Sequence, residues 1–191
     1  MVDLEVVDFF QTDPLPGEIS RIVTLSEVFA YGVGVAFFLF LVYFFDPAQR
    51  RRLPRLITVS LGAGLAANSC KLVLARQRPW AHLETTSPVS TTFGDWFPFL
   101  GDQWGSAWQS LPSAHSATVI GLAVGLFWCY PRGKWLFFSC AALSSFQRIA
   151  DHAHHVSDVF WGLGVGLAWA YLFLKKEPIW PRKWILWEQK G

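Results

Sequence analysis

The chain has 191 residues, 52% of them hydrophobic, with 17 Phe, 11 Trp and a formal net charge of +2. This length suits one domain, and the composition is too apolar and too aromatic for an ordinary soluble domain. The net charge is small, so its distribution matters more than its total, and no nucleic-acid partner is expected.

The apolar residues form long blocks rather than amphipathic repeats. A helix needs about 20 residues to cross a bilayer, and the first block, with one charge in 24 residues, is long enough alone. The shorter blocks qualify if the polar residues at their ends lie at the interface or face inward. We predict an all-α integral membrane bundle of five transmembrane helices, or six, since Val2–Phe10 can also reach the interface. The blocks are Ile22–Phe45, Leu56–Leu74, Ser116–Tyr130, Trp135–Phe146 and Val159–Leu174.

Basic residues are distributed unevenly between the predicted loops. Eleven of the sixteen fall on one side, which is expected to be cytoplasmic because basic loops normally are. We predict one membrane domain over residues 1–191, with an extracytoplasmic or interfacial segment at 1–21, an extracytoplasmic loop at 79–108 and a cytoplasmic interfacial tail at 175–191. The acidic amino terminus lacks the basic region of a cleavable signal peptide, so none is expected. An extracytoplasmic face normally carries few basic residues, so those on the opposite side need an explanation. They are Arg21, Lys71, Arg76, Arg78 and Arg148.

Two pairs of glycines, Gly121/Gly125 and Gly162/Gly166, have G-x-x-x-G spacing inside apolar blocks. Small residues at this spacing let helices approach closely in lipid. The pattern therefore indicates a compact helical bundle.

Two polar segments lie at helix ends on the predicted extracytoplasmic side. In KLVLARQRP, Lys71 and Arg78 are seven residues apart, close to two helical turns, so one shared helix face is expected before Pro79 ends the helix. Taken alone, these cations are equally well explained as snorkelling interfacial residues. In LPSAHS, an ordinary helix start explains Ser113 but not His115, and free N–H groups at such a start suit a phosphate.

The third polar segment, QRIADHAHHVSD, joins the fourth and fifth helices. Arg148 ends one helix and Asp158 begins the next, with Ser157 as the candidate N-cap. His154 and Asp158 are spaced i, i+4, so a helical turn would bring them into contact. A carboxylate on one ring nitrogen fixes the histidine tautomer and raises the basicity of the other nitrogen, which prepares a histidine nucleophile.

Together the three segments supply two or three fixed cations, two histidines and one orienting carboxylate. This inventory suits phosphoryl transfer, in which catalysis is mostly positioning and charge stabilisation. Arginine offers phosphate a planar donor fork, and lysine adds a compact charge.

The three segments resemble the signature of the type 2 phosphatidic acid phosphatase (PAP2) superfamily of membrane lipid phosphatases, which reads K-x6-R-P, P-S-G-H and S-R-x5-H-x3-D. The first part is matched at every defined position. The second has Ala114 in place of Gly, and the third has Gln147 in place of Ser. The resemblance covers about Lys71–Gly162, and three motifs with correct order and spacing are far more specific than any one.

This resemblance implies a phosphatase that hydrolyses a lipid phosphate monoester or diphosphate through a phosphohistidine, without metal or other cofactor, at the extracytoplasmic face. It implies that His154 attacks phosphorus, that Asp158 orients His154, and that His115 protonates the leaving oxygen and later activates water. The implied phosphate-binding residues are Lys71, Arg78, Arg148, Ser113 and Ala114.

Two other functions are consistent with parts of the sequence. A metal-binding membrane transporter would explain the histidine and aspartate cluster but not the cations beside it, which repel a metal ion. An inactive, lipid-binding relative is the second alternative, although the groups needed for chemistry are all present. The cluster residues of the transporter hypothesis are Asp151, His152, His154, His155 and Asp158.

The expected substrate is an amphiphile whose phosphate reaches the site while its tails stay in the bilayer. The candidates are phosphatidic acid, phosphatidylglycerol phosphate, a polyprenyl (di)phosphate and a lipid A phosphate, and the loop Trp80–Trp108 is expected to shape this choice. The resemblance is closest to bacterial members, which predicts an inner membrane protein whose site faces the periplasm or exterior. Glu27, inside the first apolar block, is interpreted as an interfacial carboxylate, with a place at the substrate entrance as the alternative. The oligomeric state is left open.

Overall fold

The computed structural model describes residues 2–81, 89–103 and 105–175. Helices dominate this part of the chain, and a pair of short strands lies between the fourth and fifth of them. The elements are α1 (Val2–Thr12), α2 (Gly17–Leu25), α3 (Gly32–Phe45), α4 (Leu53–Cys70), β1 (Leu74–Arg76), β2 (Phe93–Trp96), α5 (Ala114–Cys129), α6 (Lys134–Ala150) and α7 (Val156–Leu174).

Helix α5 forms the centre of the bundle. It packs against α4, α6 and α7, and α4 also packs against α7. Most of its residues are buried, as expected for a helix that is apolar on every side. The helices approach closely at the predicted glycine faces, because a Cβ on Gly121 would lie 2.2 Å from the carbonyl oxygen of Val59 and one on Gly162 would lie 2.3 Å from that of Ser113. The predicted role of the glycine pairs in close packing agrees with these contacts.

The prediction of one continuous first helix over Ile22–Phe45 is wrong. The chain forms α2, a 3₁₀ turn at Ser26–Phe29 and then α3, and the two arms meet at an angle of 64°. Gly34 permits this bend, because its Cα packs directly on the carbonyl of Val28, where a Cβ would lie 1.9 Å from the oxygen. No proline marks the bend, so the apolar pattern alone predicted a straight helix.

The other four predicted helices are present as α4 to α7, with ends shifted by a few residues. Among the described helices, Val156–Leu174 is long and apolar enough to cross a membrane alone, and the bent pair formed by Gly17–Phe29 and Gly32–Phe45 would count as a second span if it is one broken span. Helix α5 is apolar but shorter. The number of five membrane helices therefore stays a prediction.

The expectation of an all-α chain needs one correction. Strands β1 and β2 pair antiparallel, with Leu74 opposite Trp96 and Arg76 opposite Phe93. Helix α4 ends at Cys70, so Lys71 and Arg78 do not share a helix face as predicted. The strand pair instead organises the part of the 79–108 loop that the structure describes, whereas residues 82–88 and 104 and the tail beyond 175 lie outside the described residues.

Candidate active site

The signature side chains gather at one end of the bundle, where α4 ends and α5 and α7 begin. The positive charges of Lys71, Arg78 and Arg148 all act on the buried ring of His154, and the same three charges act on His115. The structure therefore brings together five predicted site residues that are dispersed over more than 80 positions of the chain.

The ring of His154 is buried and held by a backbone carbonyl. Its Nδ1 lies 2.7 Å from the carbonyl oxygen of Ser110, and the side chain is 1% exposed. A carbonyl oxygen only accepts hydrogen bonds, so Nδ1 carries the proton and Nε2 keeps its lone pair. Burial lowers the pKa of His154 well below its usual value, and the charges of Arg78, Lys71 and Arg148 lower it further, which keeps the ring neutral.

The predicted direct contact between His154 and Asp158 is not formed. Helix α7 begins at Val156, so His154 precedes the helix and the i, i+4 spacing does not produce a shared turn. The carboxylate of Asp158 instead accepts a 2.5 Å hydrogen bond from the hydroxyl of Ser110. Ser110 thus joins the two residues, through its carbonyl to the ring and through its hydroxyl to the carboxylate.

Asp158 has a second partner, Arg76, which is fully buried at 1% exposure. The Nη1 of Arg76 contacts a carboxylate oxygen of Asp158 and donates to the Ser157 hydroxyl at 2.6 Å. Its Nη2 lies 2.8 Å from a carboxylate oxygen of Asp3, and its Nε donates to the Thr92 hydroxyl at 3.2 Å. Two carboxylates and two hydroxyls therefore hold one guanidinium in place.

The start of α7 also differs from the prediction. His155, not Ser157, is the N-cap, and Asp158 at the third helical position accepts the backbone N–H of His155 at 3.0 Å. The Nε2 of His155 lies 3.2 Å from the carbonyl oxygen of Gln77, so this ring is tied to the neighbouring loop. His152 has a positive φ of 54° and its carbonyl accepts the N–H of Trp80 at 3.2 Å. Both histidines therefore lie in the connection between α6 and α7.

Lys71 is buried, and its charge acts on His115 and His154. Burial, reinforced by the neighbouring charge of Arg78, lowers the pKa of Lys71 to about 8, and the carboxylate of Asp158 partly opposes this effect. Arg78 donates to the carbonyl of Gln109 at 3.4 Å. Its Nε is a buried donor with no hydrogen-bond partner among the described residues.

Arg148 is held in place by three neighbours. Its Nε donates to the side-chain oxygen of Gln147 at 2.7 Å, and its Nη2 lies 3.1 Å from Glu27 and 3.5 Å from Asp151. Gln147, one of the two residues that depart from the family pattern, is fully buried and also donates to the carboxylate of Asp151. Gln147 therefore orients Arg148 from behind.

The start of α5 presents His115 and two backbone amides. Ser113 caps the helix by accepting from the N–H of Ser116 at 3.3 Å, and its own N–H is donated to the carbonyl of Asp158 at 3.0 Å. The amide of Ser113 is therefore already used. The amides of Ala114 and His115 occupy the first helical turn, where N–H groups have no partner within the helix. Ala114 has helical rather than left-handed backbone, so replacing the family's Gly introduces no strain.

Glu27 is a neighbour of the site, and its interpretation as an interfacial carboxylate stays a prediction. It lies in the 3₁₀ turn at the bend between α2 and α3, and its Oε1 is 3.7 Å from the Nε2 of His115. Together with its contact to Arg148, this places the bend of the first helix against the site. Its only sequence signal was a charge inside an apolar block.

The residues of the metal hypothesis are engaged in different contacts. His154 faces Ser110, His155 faces Gln77, and Asp158 faces Arg76. Within the described ranges 2–81, 89–103 and 105–175, no three or more His, Cys, Asp or Glu side chains are grouped so that they could hold a metal ion. The donor groups present do not fit a metal centre.

Three residues that sequence reasoning did not assign to the site are tied into it: Arg76, Ser110 and Asp3. Arg76 had one signal, because it is a basic residue on the side that normally avoids them. Ser110 and Asp3 had none, since each contacts the site through the tertiary fold alone.

Comparisons with known proteins bear on the family and the fold of the chain. The chain is 34% identical over 111 residues to a lipid A 1-phosphatase of Rhizobium etli and 36% identical over 107 residues to one of Rhizobium johnstonii. These segments cover 58% and 56% of this chain but 44% and 40% of those proteins, so less than half of each relative is matched. A crystal structure of Aquifex aeolicus LpxE has the same fold, with a TM-score of 0.65 and 20% identity over 92% of this chain and 96% of that one. The model of the PAP2 superfamily matches residues 52–180, and the chain therefore belongs to the PAP2 superfamily.

Proposed function

We propose that this chain is a metal-independent phosphatase that removes phosphate from a lipid through a phosphohistidine at His154. One observation carries the proposal: the charges of three cations act on a buried histidine whose protonated Nδ1 lies 2.7 Å from a carbonyl oxygen. That tautomer leaves the Nε2 lone pair available to attack phosphorus. The cations offset the charge of the phosphate that would otherwise repel a nucleophile.

In the first half of the proposed reaction, Lys71, Arg78 and Arg148 bind the phosphoryl oxygens. The unpartnered Nε of Arg78 supports this role, because a buried donor is costly without an acceptor. The Nε2 of His154 forms a bond to phosphorus while the bond from phosphorus to the leaving oxygen breaks. His115 gives its proton to that oxygen, which departs as an alcohol.

In the second half, His115 is neutral and takes a proton from water. The water oxygen attacks phosphorus, the phosphorus–nitrogen bond breaks, and inorganic phosphate leaves with His154 restored. His115 has a buried Nε2 without a hydrogen-bond partner in the described chain, and Glu27 lies 3.7 Å away. The charges of Arg148, Lys71 and Arg78 disfavour a proton on His115 in the free protein. In this proposal the bound phosphate offsets these charges, and so lets His115 hold the proton that the first half requires.

The proposed substrate is a phosphate monoester of the lipid A class, as the names of the two Rhizobium relatives suggest. An outward-facing groove of about 660 Å³ beside the bend supports an amphiphilic substrate. Glu27 and Tyr31 line it together with apolar side chains, so a polar group near His115 and a hydrocarbon chain along α3 would both find suitable surroundings. Phosphatidic acid, phosphatidylglycerol phosphate and polyprenyl (di)phosphate are the competing substrates.

We further propose that the chain is an integral inner-membrane protein whose site faces the periplasm, with 79–108 as the substrate loop. The uneven distribution of basic residues supports this orientation. The outward-facing apolar side chains of α3 and α7, such as Phe40, Phe44, Phe160 and Trp161, support contact with lipid.

The test is phosphate release from the four lipid classes by purified protein in detergent, with excess EDTA, beside the His154→Ala variant. The proposal predicts EDTA-resistant release that the variant loses, with the highest kcat/KM for a lipid A 1-phosphate. Release that EDTA abolishes would favour a metal centre, and no release from any lipid would favour a lipid-binding relative without activity.

A further inference from the structure

We propose that Ser110, fixed from behind by Arg76 and Asp3, is the positioning residue that couples Asp158 to His154. The inference rests on the proposed role of His154 as nucleophile. It assigns to Ser110 the connection that the signature pattern gives to a direct contact between histidine and aspartate.

Ser110 contacts both His154 and Asp158. Its carbonyl oxygen lies 2.7 Å from the Nδ1 of His154, and its hydroxyl donates to Asp158 at 2.5 Å. Its backbone N–H donates to the carbonyl of Arg76 at 3.0 Å. The side chain is fully buried. Three polar groups of one residue are thus used, and two of them fix the direction of the third.

The carboxylate of Asp158 binds the residues next to the ring of His154. It accepts from Ser110 and the N–H of His155 on one oxygen and contacts Arg76 with the other. The carboxylate therefore holds the two chain segments that flank the ring of His154, one on each side. It acts on the orientation of the ring without touching it.

Arg76 is held by two carboxylates. A buried guanidinium needs compensating charge, and removing one partner of a buried pair leaves an uncompensated charge. Asp158 and Asp3 together supply that compensation, at Nη1 and Nη2. Asp3 also accepts the N–H of Ser157 at 2.9 Å, which anchors α1 to the first turn of α7. Through Arg76, a residue near the amino terminus contributes to the geometry of the site.

The orientation of the His154 ring determines how well its Nε2 can attack phosphorus. An acceptor that is held at a fixed position keeps the proton on Nδ1 and aims Nε2 at phosphorus, and misplacement by about 1 Å can slow an oriented reaction roughly 100-fold. Removing the Ser110 hydroxyl leaves the carbonyl in the chain but frees its direction. The expected loss is therefore in kcat, since the cations that bind phosphate do not contact Ser110.

The experiment compares Ser110→Ala, Ser110→Thr and Ser60→Ala. Ser60 is the matched control, because it is a fully buried serine whose hydroxyl donates to the backbone of α4, away from the site. Ser110→Ala should lower kcat by roughly 10- to 100-fold, the range expected for one hydrogen bond to a charged group, with KM and the melting temperature close to those of Ser60→Ala. Ser110→Thr, which keeps the hydroxyl, should recover most of the rate.

A second pair tests the contribution of α1. Asp3→Asn keeps the shape but removes the charge beside Arg76, and Asp8→Asn makes the same change at an exposed position of the same helix. Asp3→Asn should lower kcat by about 3- to 10-fold, whereas Asp8→Asn should not change it.

The outcomes separate this inference from the proposed function. An inactive wild type overturns the proposed function. If the wild type is active, any of three results would overturn the coupling through Ser110. Ser110→Ala would keep the kcat of Ser60→Ala, Ser110→Ala would raise KM with kcat unchanged, or Ser110→Thr would fold but fail to recover activity.

Discussion

The carboxylate of Glu27 lies 3.1 Å from the Nη2 of Arg148, and so neutralises one of the three cations that are proposed to hold phosphate. The two residues come from different elements, Glu27 from the bend between α2 and α3 and Arg148 from the last turn of α6. A phosphate that binds Arg148 has to compete with this carboxylate.

The competition predicts that Glu27→Gln strengthens phosphate binding. The Ki of inorganic phosphate as a competitive product inhibitor should fall by up to about fivefold, since partly exposed ion pairs contribute at most about 1 kcal/mol. Glu18→Gln, which removes an exposed ion pair with Arg21 in α2, serves as the control and should leave Ki unchanged. A higher Ki in Glu27→Gln would mean that Glu27 orients Arg148 for phosphate rather than competing with it.

The lowered pKa of Lys71 predicts a pH dependence of substrate capture. Lys71 is protonated below a pKa of about 8 and neutral above it, so kcat/KM should fall as pH rises through 8. In Lys71→Arg the side chain stays charged, so this decline should disappear even if the rate at neutral pH is lower. A decline that persists unchanged in Lys71→Arg would assign the titration to another group.

Gln147 provides a test of how Arg148 is oriented. Gln147→Leu keeps a similar volume but removes the bonds to Arg148 and Asp151, and should raise KM by roughly 3- to 10-fold. The matched control is Gln49→Leu, because Gln49 accepts from Arg52 at 3.0 Å at the far end of α4. Equal values of KM in the two variants would exclude an orienting role for Gln147.

Gly162 tests whether close packing of α7 on α5 shapes the site. A Cβ on Gly162 would lie 2.3 Å from the carbonyl oxygen of Ser113, whereas nothing lies within 4 Å of a Cβ on Gly164 in the same helix. Overpacking of this kind costs about 1–3 kcal/mol. Gly162→Ala should therefore melt at a lower temperature and lose activity, and Gly164→Ala should resemble wild type. Similar melting of both variants would mean that α7 can shift away from α5 at no cost.

The helices that could be predicted from the sequence are those whose apolar blocks are uninterrupted. Helices α5 and α7 were expected within a few residues of their ends, and the paired glycines, such as Gly121 and Gly166, pack against neighbouring helices. The bend before α3 was missed because Gly34, the residue that permits it, lies in an apolar run that is compatible with a straight helix. The strand pair was missed because its partners are distant in the chain and three or four residues long.

The sequence was a better guide to which residues lie in the site than to which of them contact one another. The signature identified the cations and histidines that converge around His154. The contact between Arg76 and Asp158 spans 82 positions and that between Ser110 and His154 spans 44, and no local pattern encodes either one. The predicted contact between His154 and Asp158 assumed a helical turn that starts two residues too early.

The most direct test of the account is to trap the phosphoenzyme. Radiolabelled lipid phosphate would be mixed with wild type, His154→Ala and His155→Asn in EDTA, quenched within one turnover, and the label on the protein measured after acid and alkaline treatment. The account predicts an acid-labile, alkali-stable label in wild type and His155→Asn that is lost in His154→Ala, together with a fall in turnover of at least about a thousandfold. A label that persists in His154→Ala, or that is lost in His155→Asn while His154→Ala stays active, would contradict the assignment of His154 as the nucleophile.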